Sequence, residues 1–275
     1  MQANQVPTDS QERKTVLLMV ICLAMAGIVI TPGFAAREHS GLNENVLQGP
    51  NRVNLSVHDG RPVAEAIRML EARYGWIITY EDPPYAYAGD IADVTEQVSR
   101  DSYKYPKGGG SRVLVPKGGE LDFSVPSQTG LPSDPVLVVQ QLLMTSTQYG
   151  RFRLEKDHTM IHVIPTAMRS ISGKWVPTKP ALDTLITLPA KERSGMQTLE
   201  ALCAAISNAS RMRVVVGTVP LNLFMQYKDH QGAASQEARQ VLVQLFERMS
   251  SGKNLSWRLL YGPGTKRYVL NIHVV

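Results

Sequence analysis

Two stretches of this chain end in the same way, and that ending restricts the fold more than any other feature. A helix-patterned run leads into an alternating hairpin at residues 149–165 (YGRFRLEKDHTMIHVIP) and again at 254–275 (NLSWRLLYGPGTKRYVLNIHVV). A helix with one apolar stripe and a strand with one apolar face are each stable only against another layer. Two such endings about 110 residues apart therefore ask for two cores.

Reading back from each hairpin extends the parallel. In the first half Val53, Leu55 and Val57 alternate with polar residues as in a strand. Pro62 then starts a helix whose stripe is Val63, Ala66, Ile67, Leu70 and Tyr74, and Gly75 stops it. WIITYEDPP is a second strand ended by prolines. A second helix opens with Asp134 as N-cap and Pro135 in the first position, and its inner face is Val136, Val139, Leu143 and Tyr149. In the hairpin, Phe152 and Leu154 lie on one arm, Ile161 and Val163 on the other.

The second half begins with a strand in LDTLITLPAKE and a helix from Ser194, which forms a capping box with Gln197. Met196, Leu199, Cys203 and Ile206 share one face of that helix. MRVVVGTVP and LFMQYKDH read as strands, and residues 235–250 as a helix with Ala238, Val241, Leu242, Leu245 and Met249 inward. The fold class expected is α+β: two tandem small α/β sandwich modules, each with two helices packed on a small mixed sheet. The modules span 51–168, with an insertion at about 85–130, and 182–275. Linkers at 36–50 and 169–181 precede them.

Residues 1–35 have the grammar of an export signal. Arg13 and Lys14 precede an apolar run from Val16 to Ile30, followed by Pro32 and small residues. Cleavage is expected after Ala35, with Ala36 as second choice. The alternative is an uncleaved anchor through residues 16–30, although such a run falls short of the ~20 residues that span a bilayer. Both readings place the remainder in the periplasm. Cys22 lacks the residue pattern of a lipidated cysteine, and Cys203 alone would remain, so no internal disulfide forms.

The segment YKYPKGGGSRVLVPKGGE (103–120) raises the question of a phosphate loop. Such a loop needs a helix directly after the glycines, and here Gly108, Gly109 and Gly110 lead into strand-like SRVLVP. The segment reads as turn chemistry beside a strand, with Lys104, Lys107 and Lys117 giving a mildly positive face. No cofactor is expected.

Nor is a catalytic or metal site. His158 and His162 are four apart across a turn, not stacked on a helix. His58, His230 and His273, at strand ends or in a strand, read as surface or half-buried polar residues. Glu81 and Asp82 are adjacent on a strand end and point in opposite directions. No Gly-x-Ser-x-Gly elbow occurs. The residues that suit a partner contact are Tyr80, Tyr85, Tyr87, Tyr103 and Tyr105, with Lys107 and Lys117 beside them.

VNLSVHDGRPVAEAIRMLEARYGWIITYEDP resembles the first half of a secretin and TonB short N-terminal domain. DPVLVVQQLLMTSTQYGRFRLEKDHTMIHVIP is similar to its second half, and residues 182–275 fit the same template. The resemblance implies a non-enzymatic periplasmic module that contacts envelope proteins such as an outer-membrane channel, receptor or regulator. Strands 53–57 or 268–274 would then serve as edges for a partner strand. The alternative is an anionic envelope polymer, such as peptidoglycan, bound by the basic loops; the formal charge of +5 suits it. Nucleic acid is not expected, because no helix-flanked Gly-x-x-Gly turn is present.

Overall fold

The computed structural model describes residues 48–49, 52–100, 112–126, 134–249 and 252–275. These described residues all belong to one compact unit. The first half runs β1 (Gln48–Gly49), β2 (Arg52–Asp59), α1 (Pro62–Tyr74), β3 (Ile77–Glu81), β4 (Ile91–Asp93), α2 (Thr95–Arg100), β5 (Leu114–Pro116) and β6 (Gly119–Pro126). It continues with α3 (Pro135–Thr145), β7 (Arg151–Asp157), β8 (Met160–Arg169) and β9 (Trp175–Pro177). The second half comprises β10 (Leu185–Leu188), β11 (Arg193–Ser194), α4 (Gly195–Ser210), β12 (Arg213–Val216), α5 (Leu221–Gln226), β13 (Lys228–Asp229), β14 (Ala233–Glu237), α6 (Ala238–Met249), β15 (Leu255–Gly262) and β16 (Arg267–Val274).

The fold is mixed α/β, with six helices and several sheets among the described residues. Local signals set the helix ends. Gly75 stops α1 in the left-handed region, its N–H bonded to the Glu71 carbonyl. Asp134 accepts from the Val136 N–H, and the Ser194–Gln197 capping box forms in both directions. Among the described residues no helix is long and apolar enough to cross a membrane. Residues 16–30 lie outside them.

The organising element is a mixed seven-stranded sheet in the order β12-β16-β15-β3-β8-β7, with β9 paired to β8. The central strands of both halves thus share one sheet instead of forming two small ones. The join is short: β15 runs parallel to β3 with Arg258 opposite Tyr80 and Leu259 opposite Glu81. The Asp82 N–H then continues the ladder to the Leu259 carbonyl.

Neighbouring residues across this sheet separate into two cores. Ile78, Tyr80, Ile161 and Val163 pack with α1, α3, β2 and β6, and Leu260 joins them. Ile77, Met160, Trp257 and Leu259 pack with α4 and α6 instead. Strand side chains alternate between faces, so the helices of the first half cover one face and those of the second half the other.

Several expectations are corrected. LFMQYKDH does not form a continuous strand, because α5 occupies Leu221–Gln226 and only Lys228–Asp229 is extended. Its apolar side chains follow a helical spacing that buries Phe224. The helix expected from 235 begins at Ala238, because Ala233–Glu237 pairs with β10. Residues 268–274 are not an edge, since β16 lies between β12 and β15. Strand β2 pairs with β6 along its length and with the two-residue β1 only at Arg52 and Val53. The stretch 169–181 folds back: Ala167–Arg169 pair with Trp175–Pro177.

Candidate functional site

The tyrosine-rich rim and the Lys-Gly-Gly turn, read separately in the sequence, meet in one cleft of about 120 Å³. Gly60, Arg61, Tyr80, Tyr85, Lys117 and Tyr149 are among its lining residues. The turn reaches this place by close backbone contact. Gly118 has φ +55°, and a Cβ there would lie 2.0 Å from the Asp59 carbonyl oxygen. The Lys117 N–H donates to the Asp90 carbonyl at 2.8 Å. Gly118→Ala is therefore expected to cost about 1–3 kcal/mol through strain and clash, read as a lower urea midpoint.

Asp82 anchors the cleft. It accepts from Arg61 Nε at 2.7 Å, from the Tyr80 hydroxyl at 2.8 Å and from the Tyr261 N–H at 2.9 Å. Arg61 also donates to the Tyr261 carbonyl at 2.8 Å. Burial works against the Arg61 charge, but the ion pair with Asp82 wins and raises its pKa above the ordinary value. Burial, then the Asp82 charge, pushes the Tyr80 and Tyr85 phenols well above theirs. They remain neutral donors, and the carboxylate facing them is saturated with donors.

The sequence-selected residues therefore divide. Tyr80 is buried and belongs to the core, not to a rim. Tyr85 is half-buried against Tyr261. Tyr87 lies half-buried with the Arg169 guanidinium 5.7 Å above its ring, and Lys117 is exposed. Tyr103, Tyr105 and Lys107 lie outside the described residues.

Behind the cleft, the join between β3 and β15 is lined by buried ionic groups. Glu81 accepts from the Ala181 and Leu182 amides and from Arg239 Nη2 at 2.8 Å. Asp183 bridges Arg239 to Arg153, at 2.9 and 2.8 Å. On the other face Glu71 pairs with Arg258 and with His273 at 3.0 Å. His162 is buried, with Nδ1 2.7 Å from the Thr79 hydroxyl and its ring stacked on Trp257. Burial first, then the Arg239 charge, lowers the His162 pKa to about 4.

Glu81 and Asp82 do point in opposite directions, each to its own arginine. Arg239, Arg258 and Glu71 escaped the sequence reading. The signal that could have found them is a charged residue on an otherwise apolar helix face: Glu71 beside Leu70, Arg239 beside Ala238. His162, read in the sequence only as one of two histidines across a hairpin turn, is part of the interior. Cys203 is buried, with its thiol pushed up to about 12 by burial, as its place on the helix stripe led one to expect. Neither a family model, nor a curated protein, nor a solved structure matches this chain.

Proposed function

We propose that the chain is an exported, non-enzymatic adaptor of the cell envelope that binds proteins through exposed faces of its helices, its two halves being modules of the short N-terminal type. The observation that carries this reading is a pair of large apolar side chains held in solvent on each helix layer. Leu137 and Met144 of α3 are 61% and 67% exposed, and Leu221 and Met225 of α5 are 55% and 54% exposed. Their spacings of seven and four residues place each pair on one side of its helix. Leucine and methionine displayed in this way suit an apolar, adaptable protein contact.

The test is photo-crosslinking in the native host from a probe at position 137 or 225, followed by mass spectrometry. A discrete envelope protein is expected, with the yield from position 137 falling about tenfold when Met144→Glu is added while the far-UV circular dichroism is unchanged. The rival reading is an anionic polymer held at the exposed Lys117. Binding of that kind would weaken steeply with salt and with Lys117→Ala. The adaptor reading expects neither.

A further inference from the structure

The internal join of the sheet supplies a template for joining two copies of the chain. The parallel pair β3–β8 and the parallel pair β12–β16 have matching registers: Ile77 opposite Met160, and Arg213 opposite Arg267. The hairpins match as well, with Asp157 opposite Met160 and Gly262 opposite Arg267. Superposing these registers sets Val214 on Ile78, Val216 on Tyr80, Leu154 on Leu259 and Arg153 on Arg258. A side-chain bond recurs at the same spacing: the Ile78 N–H donates to Glu71, and the Val214 N–H to Ser207. Strand β7 is thus the counterpart of β15, and β12 the counterpart of β3. Inside the chain β15 and β3 are paired, whereas among the described residues β7 and β12 end the sheet.

We propose that copies of this chain associate head to tail by adding β12 of one copy in parallel to β7 of the next, with Val216 opposite Arg153 and Gly217 opposite Leu154. The chemistry of the two edges suits this pairing. Residues 214–217 are three valines and a glycine, an uncharged β-branched run of the kind that invites strand addition. At the internal join Arg258 depends on Glu71 from across the seam, but Arg153 is already neutralised by Asp183 and Glu155. The residue that would meet it stands where Glu71 does and is the neutral Ser207. The contact therefore does not strand Arg153 without a counter-charge.

One exchange limits its strength. The Thr218 N–H, counterpart of the Asp82 N–H that bonds Leu259, is held by Asn271 Oδ1 at 2.9 Å and must transfer to the Leu154 carbonyl. Because the two edges differ, the interface is heterologous. Each added copy leaves one free edge of each kind.

The register sets Glu155, exposed, opposite the exposed Thr218 of the neighbour. Chains carrying Glu155→Cys and chains carrying Thr218→Cys are mixed under mild oxidation. The unsubstituted full-length chain, with Cys22 and Cys203, fixes the background. The mixed disulfide is expected to exceed either symmetric disulfide by roughly tenfold, since only the mixed pair is held close. Adding Lys156→Pro to the Glu155→Cys chain should abolish that excess. Lys156 is the counterpart of Tyr261, whose N–H faces the join, so proline there removes an outward donor and spares the ladder to β8. A predominant symmetric disulfide, or none above background, overturns the proposal.

Discussion

Replacing Arg239 by leucine is expected to remove about 3–5 kcal/mol of stability at neutral pH, measured by urea denaturation. The effect comes less from the lost contact than from what it leaves behind: Glu81, buried, without its cation. Two backbone amides still bond its carboxylate, but hydrogen bonds alone rarely offset the desolvation of a charge. Adding Glu81→Gln should recover most of the loss, because a leucine facing a neutral amide strands no ion. Glu81→Gln alone should cost only about 1–2 kcal/mol, since Arg239 keeps Asp183. Burial already raises the Glu81 pKa above its ordinary value, with Arg239 opposing. A carboxyl whose folded pKa is raised favours the folded state at low pH and disfavours it as pH rises through that pKa. The Arg239→Leu deficit should therefore shrink on acidification.

The second large effect has the opposite sign with pH. His162 takes a proton near pH 6.5 when unfolded but only near 4 when folded. Between those values the unfolded chain binds more protons, so this residue's contribution is complete above about 6.5 and is lost as pH falls toward 4. The lowering corresponds to up to about 3 kcal/mol. His162→Phe should flatten that part of the stability profile while costing roughly 1 kcal/mol at pH 7.5, where the Thr79 hydroxyl loses its partner. The comparison of variant with parent between pH 7.5 and 4.5 isolates it from Glu81. Asp183, held low by Arg153 and Arg239 against the pull of burial, loses its stabilising effect only below that window. A variant with the same slope as the parent would remove His162 from the account.

What the sequence disclosed and what it withheld have different physical origins. Helix ends were legible because caps act within a few residues: Asp134, Gly75 and the Ser194–Gln197 box all form as read. Helix faces were legible because Ile67 and Leu70, or Val241 and Leu245, repeat at helical spacing. The sharing of one sheet was not, because it depends on contacts between residues some 180 positions apart. Nothing in WIITYEDPP marks β3 as the partner of β15. The alternation of Ile77 and Ile78 between two cores looked like an ordinary buried strand. The cleft was half-legible. Its glycines and tyrosines stood out by type, but Arg61, the residue that ties Asp82 to β15, reads as one more charge before a helix.

The most direct test of the account concerns the join itself. If the ionic lining of β3 and β15 makes the two halves one body, native-state hydrogen exchange followed by mass spectrometry should give the same opening free energy for peptides covering 77–83 and 255–262. That value should equal the global unfolding free energy, and Arg239→Leu should lower both together. Separate, lower opening energies for the two halves, unmoved by Arg239→Leu, would contradict it.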